Sequence, residues 1–439
     1  MNDLLSKLVL YRNFGEDSIL YGFADAIDKA DAKDYNKNEL VDEIYSYVKK
    51  LLDLATDYGF DDNLWHNYLT YLLIMNENSF TLTAEKVGAG DGTVNYFAKN
   101  DYKIFKQLFD YDFSKVQDEL QIDCFSVISD YHAIKKKERM YNKNVSEKVR
   151  KVSKLIEEAS DENQIFDILT KFYSDFGCGM FGLNKAFRIK EREESLKLFP
   201  INNTDNVTLN DLIGYDIQKK MLTDNTDAFV NGKPANNCLL FGDSGTGKST
   251  MIKAIINQYY EKGLRMIEIY KHQFKDLSSV INQIKNRNYK FIIYMDDLSF
   301  EDFEIEYKFL KAVIEGGVES KPDNVLIYAT SNRRHLIKES FDDRNDMKIS
   351  KGLHHSDTIQ EKLSLVNRFG VTISFSKPDQ KNYFAIVLGL ARKYKELDYM
   401  SDEDIYKVAN TWELNHGGMT GRAARQLVDN LLGRSDSNV

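Results

Sequence analysis

Apolar residues recur at helical spacing through the first 200 positions, then give way to short continuous runs from about Asn206 onward. Leu40, Ile44, Val48, Leu51 and Ala55 form one helical stripe, and Val116, Leu120, Cys124, Val127 and Tyr131 form another. Further helices are predicted over 146–159 and 161–173. Phe176-Gly177-Cys178-Gly179-Met180 interrupts the pattern, and 190–197 reads as a charged connector. A mostly α-helical N-terminal domain over 1–200 follows, with a boundary near residue 200. Gly88, Gly90 and Gly92 lie close together, but no hydrophobic strand precedes them, so they read as a plain turn.

Beyond Asn206, strands alternate with helices, as in a parallel sheet with crossover helices. The predicted strands are 238–241, 265–269, 291–295, 325–329 and 371–375. The first, third and fourth are near-continuous apolar runs, which suits strands covered on both faces. After Pro378 the pattern is helical to the C-terminus. The expected layout is an α/β core over 201–376 with a five-stranded parallel sheet, and a helical lid over 377–439.

One stretch in the second half carries chemistry by its spacing. Gly242-Asp243-Ser244-Gly245-Thr246-Gly247-Lys248-Ser249 fits G-x-x-x-x-G-K-[ST], a loop whose backbone N–H groups wrap a triphosphate. Average residue usage makes a chance match in a chain of this length an event of about one or two per cent. The context fits as well: a short apolar strand leads in, and a helix over 250–262 leads out, with Ile252, Ile255, Ile256 and Tyr259 on one face. Glycines let the backbone approach the phosphates, the helix N-terminus adds its positive dipole end, and Lys248 supplies a mobile charge. The Ser249 hydroxyl suits Mg²⁺, and Thr250 continues the binding segment.

Phe291-Ile292-Ile293-Tyr294-Met295-Asp296-Asp297 is an apolar strand ending in two acids. Asp296 is placed to hold Mg²⁺ through a water, and Asp297 to orient and deprotonate an attacking water. Val325-Leu326-Ile327-Tyr328-Ala329-Thr330-Ser331-Asn332 is a second buried strand with a polar exit. Parallel sheets bind ligands at the carboxyl ends of their strands, so Asn332 is expected at the γ-phosphate or the water.

Composition narrows the partners. The first 200 residues carry 27 Lys and Arg against 35 Asp and Glu, while the remainder is close to balanced. An acidic front half disfavours nucleic acid or anionic membrane there. Lys135-Lys136-Lys137-Glu138-Arg139 is the one dense basic run; it reads as a solvated helix face or as a docking patch for an acidic partner. Cys124, Cys178 and Cys238 are odd in number and fit no metal spacing, as expected of buried thiols in a reducing compartment. Charges interrupt every apolar run in the first 20 residues, and the longest apolar cluster, 68–75, is too short for a bilayer. No membrane association and a cytoplasmic location are expected.

The order of glycine loop, apolar strand ending Asp-Asp, strand ending Ala-Thr-Ser-Asn, a later arginine and a helical tail resembles an AAA+ ATPase. More narrowly, several stretches resemble the DUF815 ATP-binding proteins. These are Asp211-Leu212-Ile213-Gly214-Tyr215, Pro234-Ala235-Asn236-Asn237, Asp296-Asp297-Leu298-Ser299-Phe300 and Ala329-Thr330-Ser331-Asn332-Arg333-Arg334-His335-Leu336. Glu361-Lys362-Leu363-Ser364-Leu365, Arg368-Phe369, Gly421-Arg422 and Ala424-Arg425-Gln426 extend the likeness over roughly 205–435. The resemblance implies ATP and Mg²⁺ as ligands, an arginine finger at Arg368 reaching a neighbouring subunit, and hence a homo-oligomer, a hexameric ring being one arrangement. It also implies a lid arginine at Arg422, entered through Gly417 and Gly418, and adenine contacts from Ile213 and Gly214.

Two departures stand out. AAA+ enzymes usually carry Asp-Glu where this chain has Asp296-Asp297, so the second acid reaches less far toward the water. A long polar excursion, 333–360, holds His354 and His355 without the further ligands a metal would need. The leading expectation is an ATPase that remodels a protein client. The shorter acid also fits an ATP-bound switch or adaptor, and the acid pair with the basic run fits a helicase-loader-like factor acting on nucleic acid.

Overall fold

The computed structural model describes residues 1–15, 18–33, 35–134, 143–192, 195–202, 204–301, 304–315, 322–333, 336, 365–416 and 418–435. The basic run at Lys135, the His354-His355 pair, Arg334, His335, Gly417 and motif residues 361–364 lie outside the described residues. The chain divides into two compact units: Met1–Asn184 with Pro200–Thr204, and Lys185–Phe199 with Asp205–Val439.

The first unit is helical. In the helix Lys37–Tyr58, the buried positions are Leu40, Ile44, Val48, Leu51 and Ala55, the stripe read from the sequence. Asn36 caps its start and Gly59, at φ 68°, ends it in the left-handed conformation that favours glycine. The second stripe does not form one helix. Gln121 turns left-handed at φ 55°, splitting it into Ser114–Leu120 and Cys124–Ser129, and Val127 is left exposed. Tyr131 instead pairs with Asp62 in an isolated antiparallel bridge. Helices Lys143–Glu158 and Glu162–Phe176 cover the other two predicted spans, the latter capped by Asp161. Gly88 ends the helix Ser79–Val87, and 88–92 is a connection to the helix Val94–Phe109. Tyr11, Tyr102 and Tyr173 bury their hydroxyls in one hydrogen-bonded chain, which satisfies groups that would otherwise be costly in an apolar core.

The second unit is built on a seven-stranded sheet rather than the expected five. The strands are β1 (Ala186–Arg192), β2 (Ser195–Pro200), β3 (Cys238–Gly242), β4 (Leu264–Glu268), β5 (Lys290–Met295), β6 (Val325–Ser331) and β7 (Val371–Phe375), in the order β2-β1-β4-β5-β6-β3-β7. The last five match the predicted set. The extra two arise from the stretch read as a charged connector. There Phe187 and Ile189 are buried while Arg188 and Lys190 face outward, a strand of period two. β1 pairs parallel to β4, and Arg188 lies against Glu268 across that pairing. The second unit therefore takes in Lys185–Phe199 ahead of its main span from Asp205.

β3, β5 and β6 occupy the middle of the sheet, and every residue of β6 is buried. β7 lies at an edge and alternates buried with exposed positions. The helix after the glycine loop runs Lys248–Tyr259, with Ile252, Ile255, Ile256 and Tyr259 buried, and tightens into a 3₁₀ turn over Tyr260–Lys262. Three C-terminal helices, Gln380–Ala391, Asp402–Asn415 and Gly421–Ser435, share a separate apolar cluster that includes Tyr383, Val387, Ile405, Leu427 and Val428.

Candidate functional site

The strand order decides what the site contains. β6 lies between β3 and β5, all three run parallel, and their carboxyl ends open on the same side. The residues leaving them are Gly242 to Lys248, Asn332, and Asp296 with Asp297.

The glycine loop is held tightly at its base. Gly242 has φ 128°, and a Cβ there would lie 2.0 Å from the Phe375 carbonyl oxygen on β7. Gly247 has φ 93°, and a Cβ would lie 2.7 Å from a Leu212 methyl. Neither position accepts another residue without displacing its neighbour. Within the loop, the Thr246 hydroxyl donates to the Asp243 carbonyl at 2.8 Å, and the Asp243 carboxylate accepts the Lys377 N–H at 2.8 Å. Ser244 is exposed on the loop, and Thr250 is half-buried one residue past Ser249.

Lys248 is 6% exposed and donates three hydrogen bonds: to the Gly242 carbonyl at 2.9 Å, the Asp243 carbonyl at 2.7 Å, and Asn332 Oδ1 at 3.0 Å. Burial pushes its ammonium below the usual lysine range, against the opposing pull of Asp243, Asp297 and Asp296.

The two acids are held by hydroxyls and an amide. Ser249 Oγ donates to Asp296 Oδ1 at 2.7 Å, and Thr330 Oγ1 donates to the same oxygen at 2.6 Å. Asp297 has φ 49°, one of few non-glycine residues in the left-handed region. Its N–H donates to Thr330 Oγ1 at 2.9 Å, and its Oδ1 accepts from Asn332 Nδ2 at 2.7 Å. Partial desolvation opposes ionisation of Asp296, but the hydroxyls of Thr330 and Ser249 outweigh it and keep the carboxyl below its ordinary value. Lys248, Ser249, Asp296, Asp297 and Asn332, picked from separate stretches of sequence, therefore belong to one hydrogen-bonded network.

The C-terminal helix Gly421–Ser435 also reaches the loop. Arg422 N–H donates to the Gly245 carbonyl at 3.2 Å, and the Thr420 hydroxyl caps the same helix at Ala423. The Arg422 side chain is exposed, while Arg425 pairs with Asp429 at 3.2 Å. Ile213 packs against the apolar cluster of the three C-terminal helices and sits so close to Gly389 that a Cβ there would meet it at 2.3 Å. Gly214 and Tyr215 follow with φ 77° and 58°, turning the chain into the helix Asp216–Val230.

Arg368 lies elsewhere. It sits half-buried in the turn before β7, whose Val371 is opposite Cys238 at the start of β3. Gly242 is at the other end of that pairing, beside Phe375. Four residue steps separate Val371 from Phe375, about 13 Å of strand, so Arg368, which precedes β7, lies beyond the strand end opposite the loop of its own chain.

A divalent cation fits this donor set. Ser249 Oγ and Asp296 Oδ1, both hard oxygens, lie 2.7 Å apart, close to the edge of about 2.9 Å that an octahedron with Mg²⁺–oxygen bonds near 2.05 Å requires. Among the described residues there is no group of three or more His, Cys, Asp or Glu side chains suited to a metal.

Thr330 was missed from the sequence, as was the part of Asp243 in holding Lys377. The signal for Thr330 was present: it follows Ala329, which pairs with Met295, so it lies beside Asp296 across the β5–β6 ladder. The alternation that puts both on one face was legible once that pairing was known.

A strand–glycine loop–helix unit on a parallel sheet, with paired acids at the end of the next strand but one, defines a P-loop α/β protein. The chain belongs to the family described as "Protein of unknown function (DUF815)", whose profile matches residues 183–435, more than half its length. Among solved structures, the RuvB Holliday junction branch migration motor of Thermotoga maritima is similar at 15% identity with a TM-score of 0.35, over 52% of this chain and 64% of that one. A mutant of the same protein is similar at 17% identity with a TM-score of 0.37, over 52% of this chain and 66% of that one. This chain thus spans less than two thirds of the length of either. No curated protein matches it. Among the described residues, no helix is long and apolar enough to cross a membrane.

Proposed function

We propose that this protein binds and hydrolyses ATP with Mg²⁺ as an AAA+ type ATPase, and that an oligomer couples turnover to remodelling of a protein client. The observation that carries the reading is the Lys248–Asn332–Asp297 chain of hydrogen bonds beside the Ser249–Asp296 pair. Backbone N–H groups of the loop and of the helix N-terminus receive the phosphates. Lys248 exchanges the Gly242 and Asp243 carbonyls for phosphate oxygens, a short swing because its ammonium already lies over the loop. Ser249 and Asp296 hold Mg²⁺, which when bound neutralises charge on the β- and γ-phosphates. Asp297 orients the attacking water and takes its proton, and Asn332 sets the direction of that carboxylate. Arg368, at the strand end opposite its own loop, serves the γ-phosphate of a neighbouring copy.

Purified protein supplied with Mg²⁺ and ATP should release phosphate, with turnover per chain rising with protein concentration as copies assemble. Absence of turnover at every concentration rejects the motor. The second reading, an ATP-bound switch with slow turnover, is favoured by one feature: Asp297 is a bond shorter than glutamate and its Oδ1 is engaged by Asn332. Tight Mg²⁺-ATP binding with turnover of a few events per hour would select it.

A further inference from the structure

Thr330 is 2% exposed at the end of β6, between the strands that carry the glycine loop and the two acids. Its hydroxyl makes two bonds of opposite sense. A carboxylate only accepts and a backbone N–H only donates, so the hydroxyl donates to Asp296 Oδ1 at 2.6 Å and accepts from the Asp297 N–H at 2.9 Å. The Thr330 carbonyl accepts the next N–H, that of Leu298, at 2.7 Å.

These contacts act on different parts of the two acids. Thr330 and Ser249 both meet Oδ1 of Asp296, which fixes the rotation of the carboxylate and therefore where Oδ2 points. At Asp297 the backbone is held instead. Its φ of 49° is a conformation non-glycine residues adopt infrequently, aspartate and asparagine more than most, and the direction of its side chain depends on that dihedral. Packing alone asks only for a β-branched residue here, which valine would satisfy. The hydroxyl is what serves both acids.

We propose that Thr330 is a positioning residue for metal-assisted hydrolysis, its single hydroxyl aiming Asp296 at Mg²⁺ and Asp297 at the attacking water. This rests on the ATPase reading above. Partners that orient metal ligands typically matter by about 10- to 100-fold in metal affinity or activity.

The test compares the full-length parent with Thr330→Val and Thr330→Ser. A fluorescent non-hydrolysable ATP analogue is titrated in EDTA and then across a Mg²⁺ series, ATP turnover is measured in parallel, and melting curves establish that each variant is folded. The expected result for Thr330→Val is Mg²⁺-free nucleotide affinity within about twofold of the parent, with the Mg²⁺ half-saturation raised about tenfold or more and turnover reduced to match. Thr330→Ser, which keeps the hydroxyl, should return both quantities to near the parent. Unchanged Mg²⁺ half-saturation and turnover in Thr330→Val overturn the proposal, and so does a serine variant as impaired as the valine one. A parent that binds no nucleotide in either condition overturns the ATPase reading itself, whereas a Mg²⁺-responsive parent matched by Thr330→Val overturns only the role of Thr330.

Discussion

Replacing Lys248 by methionine keeps the length and apolar stem of the side chain but removes the ammonium that donates to Gly242, Asp243 and Asn332. Two effects on the fold then oppose each other. The acceptors lose a charged donor, a contribution of about 1.5–3 kcal/mol for each such bond when no water can replace it. Water can replace it in part, because Asp243 and Asn332 are exposed. Against that, a buried ammonium is no longer desolvated, a penalty of several kcal/mol for an ion in an apolar setting. The fold should therefore change little, with a melting midpoint within about 4 °C of the parent. Ligand binding has no such compensation. At ATP a hundred times the parent dissociation constant, binding stabilises the chain by about 2.7 kcal/mol. For a unit of this size that raises the midpoint by about 5–10 °C. Losing a charge-assisted contact of about 2.7 kcal/mol weakens binding about a hundredfold. At the same ATP concentration the stabilisation then falls to about 0.4 kcal/mol, a shift of about 1 °C. Thermal melts of both proteins, with and without Mg²⁺-ATP, read these values directly. A variant that keeps most of the ATP-induced shift refutes the assignment of Lys248 to the phosphates.

Three further outcomes follow from the same geometry. Asp297→Asn keeps a residue that tolerates φ near 49° and keeps an acceptor for Asn332, so nucleotide affinity should hold while turnover falls about 10²- to 10⁴-fold; equal turnover would remove Asp297 from the chemistry. Arg368→Ala should lower turnover about 10³-fold without weakening nucleotide binding, and mixing it with Lys248→Met chains should restore some phosphate release through mixed interfaces; no restoration at any ratio argues against a finger acting between copies. The Lys393 ammonium beside Asp211, with the Thr208 N–H, holds that carboxyl at about 2. The folded value lies below the unfolded one near 4, so its contribution is complete above about pH 4 and is lost as pH falls through 2. Denaturant unfolding at pH 5 and pH 2.5 should thus show a smaller pH loss for Asp211→Asn than for the parent, and equal losses would refute the pairing.

Local pattern was enough wherever a side-chain period or a backbone requirement repeats in sequence. The stripe from Leu40 to Ala55, the five apolar strands and the glycine loop with its helix were legible because burial on one face, or on both, leaves a direct trace in residue order. The split at Gln121 was not, because Val116 to Tyr131 keeps a helical period even though one left-handed residue ends the helix. β1 and β2 were hidden for a related reason. Their outward positions are charged, and charge density resembled a connector until β4 was there to receive Phe187 and Ile189.

For the glycine loop, residues 242 to 249 already determined that the chain carries a tight glycine turn between strand and helix, since glycines take the dihedrals at 242 and 247. What the loop faces was decided by the order of strands. Placing β6 between β3 and β5 brings Asn332 to Lys248 and Thr330 to both acids, and the parallel run of β7 beside β3 leaves Arg368 at the strand end opposite the loop. Contacts between residues 33 to 84 positions apart depend on which strands pair, and nothing in the local pattern of any one strand encodes its neighbour.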